Sequence, residues 1–180
     1  MIGTAQTNQN RLRVLIPEEK LRARIDELGA QIRSDFGDKP VTCVCVLKGS
    51  FIFAADLVRA IGGEVKCEVL GVSSYQGGTQ SSGVVKITKD LSKPIEGQHV
   101  IIVEDIIDTG LTLHYLLEML SVRKPKSLSV CTLLDKPANR EVDMAADYVG
   151  FAIPDEFVVG FGLDFAELYR NLPYVAVYTP

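Results

Sequence analysis

Histidine and cysteine are scarce in this chain: its 180 residues hold two of the first and four of the second. His99 stands at the start of a predicted strand and His114 inside a predicted helix, so no Ser-His-Asp or Cys-His site is expected. Cys43, Cys45, Cys67 and Cys131 all fall in apolar, strand-like segments, and none of their spacings suits a zinc clip. They read as small buried hydrophobes in a reducing compartment. Long apolar runs are missing too. The longest are broken by Lys48 and by Glu104–Asp105, well short of the ~20 residues a membrane-spanning helix needs. The opening residues, MIGTAQTNQN, have neither the basic start nor the apolar core of a secretory signal. A cytoplasmic location is expected, with no membrane partner. Charge of one sign is not in excess either: 19 Lys and Arg face 23 Asp and Glu, a formal net charge of −4 without long like-charged runs. That balance argues against a nucleic-acid partner.

What is present is globular material, 47% hydrophobic and 23% charged, without internal repeats or low-complexity stretches. A single domain over residues 1–180 is expected, with 1–10 as a flexible polar tail. Pro17 suits a first helical position, and Leu21, Ile25, Leu28 and Ile32 repeat at helical spacing toward Phe36. Val41–Leu47 is a short, almost wholly apolar run, as for a strand buried on both faces. Lys48-Gly49-Ser50 interrupts it, and Phe51 to Ile61 reads as a helix with Ser50 placed to cap it. Strands are predicted over Val65–Val72, Val84–Leu91, His99–Val103, Ser127–Leu134, Tyr148–Ile153 and Tyr174–Tyr178, with a helix from about Leu111 to Val122. Residues 73–83, SSYQGGTQSSG, hold three glycines and four serines and no apolar periodicity, the composition of a functional loop. Strands alternating with helices predict an α/β domain: a mainly parallel, twisted sheet flanked by helices. Ligands in such sheets lie beyond the carboxyl ends of the strands. That singles out LKGS, EDIIDTG, LLDKP and VVGFGLD.

Val100–Thr112, VIIVEDIIDTGLT, carries the most chemistry. A buried strand ends in two adjacent carboxylates, Glu104 and Asp105; Asp108 follows, and Thr109-Gly110-Leu111-Thr112 opens a helix. Backbone amides and threonine hydroxyls at a helix start make a socket for a phosphate dianion, and Gly110 lets the backbone approach closely. Carboxylates beside a phosphate repel it unless sugar hydroxyls or a magnesium ion come between. Three acids crowding one turn with no such partner would destabilise the chain. A P-loop is excluded because no GxxxxGK[ST] occurs, and a dinucleotide fold because Gly160-Phe161-Gly162 lacks the third glycine.

VIIVEDIIDTGLT resembles the signature of the type I phosphoribosyltransferases, which bind 5-phospho-α-D-ribose 1-diphosphate. LKGSF at Leu47–Phe51, LLDKP at Leu133–Pro137 and IPDEFVVGFGLDFAELYR from Ile153 to Arg170 narrow the likeness to the hypoxanthine (hypoxanthine–guanine) phosphoribosyltransferases. Order and spacing match from about Leu12 to Tyr178. The resemblance implies the type I fold, with a small hood formed by the chain ends and the C-terminal segment. It implies purine salvage: transfer of the 5-phosphoribosyl group to hypoxanthine, and to guanine, giving IMP or GMP and pyrophosphate. Mg2+ is the implied cofactor, and a homodimer or homotetramer the implied assembly.

By the same resemblance Asp108 is catalytic, a general base at the purine N7. Glu104 and Asp105 meet ribose hydroxyls, with or without direct magnesium contact. Thr109, Gly110, Leu111 and Thr112, with the Asp108 backbone, hold the 5-phosphate. Lys48 and Gly49 hold pyrophosphate, in a loop with a non-proline cis peptide. Lys136 faces the 6-oxo group and so rejects adenine, which would present a donor to a donor. Phe157 stacks on the base and Val158 reads it through its backbone carbonyl. Asp164 is a further magnesium ligand, and Arg170, on a short helix, grips pyrophosphate. Ser74 and Tyr75 belong to a mobile lid over 73–83 that shields the sugar from water. A regulatory protein using the same fold to sense donor or RNA would need the phosphate socket alone. The joint presence of Lys48, Asp108, Lys136, Asp164 and Arg170 speaks against it. A relative preferring xanthine or guanine is the enzymatic alternative.

Overall fold

The computed structural model describes residues 11–74 and 85–179. Over them the chain forms β1 (Leu12–Ile16), α1 (Glu18–Phe36), β2 (Val41–Leu47), α2 (Phe51–Ile61), β3 (Val65–Ser74), β4 (Val85–Lys89), β5 (His99–Ile107), α3 (Leu111–Ser121), β6 (Ser127–Asp135), β7 (Tyr148–Ala152), β8 (Val158–Val159) and β9 (Val175–Tyr178). Six strands form one sheet in the order β4-β3-β2-β5-β6-β7. All its pairs are parallel except β3 with β4. The expected α/β class, with helices flanking a mainly parallel sheet, is what the chain adopts.

Side chains alternate across this sheet as strand geometry requires. Cys43 and Cys45 of β2, Ile101 and Val103 of β5, and Cys131 and Leu133 of β6 pack under α1 and α2. Val44, Val46, Val100, Ile102 and Val130 face the other way, onto Leu113, Leu116 and Leu120 of α3. Burial on both faces explains why β2 and β5 read as continuous apolar runs. Gly29 lets α1 close on α2, because a Cβ there would come within 2.5 Å of the Ala60 carbonyl carbon.

From β2 the chain moves outward to β3 and β4, then returns to the opposite side of β2 as β5. The connections that leave the carboxyl ends of β2 and β5 therefore diverge, and a crevice opens between them. Above it lies a second, antiparallel sheet, β1-β9-β8, built from both ends of the described chain. That is the expected hood.

Local departures from expectation have local causes. Pro17 is the residue before the first turn of α1 rather than inside it. Ser50 occupies the cap position of α2 but does not cap; its buried hydroxyl donates to the Val46 carbonyl at 2.7 Å. Ser73 and Ser74, expected in the loop, extend β3 and pair with Lys86 and Val85. The rest of the proposed lid, with Tyr75, and the tail 1–10 lie outside the described residues. Cys67 is exposed rather than buried. No described helix is long and apolar enough to cross a membrane.

Candidate active site

A cavity of about 240 Å³ fills the crevice, lined by Gly49, Glu104, Asp105, Asp108, Thr109, Gly110 and Thr112 among others. β5 runs on to Ile107, so Glu104 and Asp105 are strand residues and not the turn after it. That continuation carries both carboxyls to the cavity floor. Glu104 is buried, and desolvation together with the neighbouring Asp105 charge pushes its carboxyl well above the usual carboxylate range. Burial likewise pushes Asp105 up to about 6, opposed by the hydrogen bond it accepts from the Ile106 N–H at 3.0 Å. Among the described residues no cation pairs with either acid.

Both carboxyls bind protons more tightly in the folded chain than in the unfolded one, so deprotonation works against the fold. For Asp105 the penalty is absent below its unfolded value near 3.8 and complete above about pH 6. Glu104→Gln and Asp105→Asn are therefore expected to raise the melting temperature of the ligand-free protein by several degrees at pH 7.5 and to lose that gain near pH 4. The scale is about 2–4 °C per kcal/mol for a domain of this size. Equal gains at both pH values would show that charge is not the cause.

At the far end of the cavity Gly110 precedes α3 with φ +87°, a left-handed conformation that suits glycine. The first helical bond of α3 is His114 N–H to the Gly110 carbonyl. The amides of Leu111, Thr112 and Leu113 thus precede any helical partner, with only a 3.4 Å contact from Leu111 N–H to Thr109 Oγ1. This is an anion socket at a helix start. A segment the sequence did not point to braces it from outside. Arg140 Nη1 donates to the Asp108 carbonyl at 2.7 Å, anchored through Nη2 on Asp135. Glu141 N–H donates to the Thr109 carbonyl at 2.9 Å.

Beside the socket stands the exposed Asp108. Lys136, 6% exposed, sends its ammonium to Asp108 Oδ2 at 3.5 Å and to Asp155 Oδ1 at 3.4 Å. Asn139, in a 3-10 turn over Pro137–Asn139, donates to both carboxylates as well. Asp155, Asn139 and Arg140 belong to the site but form no compact motif with it. Phe157 lies two residues beyond Asp155 and is 53% exposed, edge-on to Phe165 and Tyr178. Val158 is buried in β8, paired with Val177.

On the other side of the cavity, Leu47–Lys48 is a cis peptide and Lys48 reaches the exposed Glu167, with Nζ 3.1 Å from each carboxylate oxygen. A Cβ on Gly49 would overlap the Asp105 carboxylate, and one on Gly162 would overlap the Gly49 carbonyl, so three segments interlock here. Arg170 does not sit on a helix. Glu167 N–H folds back on Asp164 Oδ2 at 2.8 Å, and Ala166, Glu167 and Tyr169 all have positive φ. Arg170 holds Asp164 Oδ1 at 2.9 Å and the Gly162 carbonyl at 2.8 Å. Its Nε is buried without a partner among the described residues. Asp164 is therefore engaged by Arg170, and the described residues contain no group of three acidic, histidine or cysteine side chains able to hold a metal alone. Glu104 and Asp105 still fit a divalent cation: a buried acid beside a half-buried one, neither paired with a cation among the described residues. Such a cation would complete its shell with ligand oxygens.

A family model described as the phosphoribosyl transferase domain matches residues 17–166. The chain belongs to the phosphoribosyltransferase family. Relatives are similar over nearly their whole length. The hypoxanthine-guanine phosphoribosyltransferase of Bacillus subtilis is 51% identical over 168 residues, 93% of each chain. A crystal structure of the hypoxanthine-guanine phosphoribosyltransferase of Bacillus anthracis superposes with a TM-score of 0.90 at 51% identity, over 94% of this chain and 99% of that one. The hypoxanthine phosphoribosyltransferase of Staphylococcus aureus gives 0.92 at 48% identity, over 100% and 97%. The crevice at the β2–β5 switch is the candidate site for the family's transferase chemistry. His99 lies at the opposite end of β5, its Nδ1 2.7 Å from Ser127 Oγ.

Proposed function

We propose that the chain salvages purines in the cytoplasm, transferring the 5-phosphoribosyl group of phosphoribosyl diphosphate to hypoxanthine, and to guanine, with assembly as a homodimer or homotetramer. The observation that carries this reading is a buried ammonium, Lys136, held beside an open carboxylate, Asp108, at the rim of the phosphate socket. An ammonium there accepts a 6-oxo group as partner and refuses a 6-amino group.

The α3 amides and Thr109–Thr112 receive the 5-phosphate, fixing one end of the sugar. Glu104 and Asp105 face the ribose hydroxyls. Lys48, the Gly49 backbone and Arg170 receive the diphosphate, so the leaving group's charge is met as the bond to C1 breaks. Phe157 and the Val158 carbonyl orient the base, whose nitrogen attacks C1 while Asp108 holds the N7 proton. Glu104 and Asp105, with Asp164 by way of water, would hold Mg2+, which when bound would supply positive charge facing the diphosphate. Ser74 and Tyr75, in the proposed lid, exclude water from the reacting sugar.

Glu167 now holds the two cations, Lys48 and Arg170, that the diphosphate would take. Glu167→Gln is expected to lower the KM for phosphoribosyl diphosphate and the inhibition constant of pyrophosphate together, by about 2- to 5-fold, the scale of an exposed ion pair. A higher KM for the donor would show instead that Glu167 helps to hold it.

The deciding experiment offers the purified protein phosphoribosyl diphosphate and magnesium with hypoxanthine, guanine, xanthine or adenine, followed spectrophotometrically. Turnover of hypoxanthine and guanine, none of adenine and loss of activity on chelation support the reading. Donor binding without turnover of any base would overturn it.

A further inference from the structure

Burying an unpaired ammonium is strongly unfavourable, and Lys136 avoids it by lying between two carboxylates. Both contacts, 3.5 Å to Asp108 and 3.4 Å to Asp155, exceed the ~2.7–2.9 Å of a close charge-assisted hydrogen bond. Neither carboxylate has captured it. The short bonds run through Asn139, whose Nδ2 donates to Asp108 Oδ1 at 2.8 Å and to Asp155 Oδ1 at 2.7 Å. One amide spaces the two acids, and one ammonium hangs between them.

Asn139 and Lys136 together hold the Asp155 carboxyl below the usual carboxylate range, so it stays charged at neutral pH. Without Asp155 the ammonium would keep a single countercharge, Asp108, and close on it. That pair would tie up both the cation that meets a 6-oxo group and the lone pair that takes the purine proton. Suspended as it is, Lys136 spends two of its three N–H donors on carboxylates and leaves the third for a ligand carbonyl.

We propose that Asp155 and Asn139 are positioning residues for the purine side of the site, keeping Lys136 and Asp108 apart and separately available. The inference rests on the purine reading above. Its test compares the wild type with Asp155→Ala, Asp155→Asn and Asn139→Ala, measuring kcat, the KM for hypoxanthine, the KM for phosphoribosyl diphosphate and the melting temperature. Asp155→Ala is expected to raise the hypoxanthine KM by roughly 10- to 100-fold, the loss of one hydrogen bond to a charged group. The donor KM should stay within about twofold, because the phosphate socket and its Arg140 brace are untouched. Asp155→Asn, which keeps an acceptor for Asn139 but no charge, should fall between. A hypoxanthine KM that does not move, or two KM values that rise together, in a variant that melts like the wild type overturns the proposal. Should Asp155→Ala fail to fold, Asn139→Ala decides by the same split, since Asn139 is a partly exposed turn residue. No hypoxanthine turnover by the wild type would sink the functional reading itself. Turnover without the split sinks only the positioning role.

Discussion

Replacing Asp108 by alanine is expected to cut kcat for hypoxanthine by about 10²-fold or more, the scale of a lost general base, while binding of phosphoribosyl diphosphate barely changes. The two effects separate because Asp108 serves the site through different atoms. Its backbone carbonyl, gripped by Arg140, holds the phosphate loop in place, and alanine keeps that carbonyl. Its side chain takes no part in the socket. Oδ1 is held by Asn139 and Oδ2 is turned toward Lys136 in the open rim of the cavity. Asp108→Asn makes a second test, since the amide keeps a hydrogen-bond acceptor for Asn139 but cannot take a proton. Steady-state turnover and calorimetric donor binding, measured on both variants, check the separation. An unchanged kcat in either would remove Asp108 from proton transfer.

The parts of this site that sequence revealed are those whose residues lie next to one another in the chain. Glu104 to Thr112 is a strand end, a turn and a helix start in one stretch, so chemistry and local structure point the same way. Double burial made β2 and β5 legible for the same reason: every residue of the run reports the same environment. What escaped was made by distant partners. β1 exists because Leu12–Ile16 pairs with β9 at the other end of the chain, and β8 is only two residues long. Asn139, Arg140 and Asp155 matter because β6 and β7 bring two loops against Asp108. The resemblance implied a short helix at Arg170, but Asp164 accepts the Glu167 amide where the segment turns back on itself.

Gly49→Ala is expected to lower kcat/KM by at least about 10²-fold, the scale of displacing reacting groups by about 1 Å. A β-carbon at Gly49 would occupy the volume of the Asp105 carboxylate, while on the other side the Gly49 carbonyl lies against Gly162, whose φ of +105° leaves no easy retreat. The backbone cannot yield both ways, so Asp105 must move, and with it the face offered to the ribose. Loss of stability alone would mimic loss of activity, and Gly37→Ala supplies the control. Gly37 has φ +59° and ψ −132° and nothing within 4 Å of a β-carbon, so alanine there carries backbone strain of roughly 1–3 kcal/mol without a clash. Gly37→Ala should melt a few degrees lower with its kcat/KM intact, whereas Gly49→Ala should lose activity far beyond what its melting temperature explains. Equal activity losses in variants of equal stability would mean that the close approach of Gly49 to Asp105 serves packing and not the reaction.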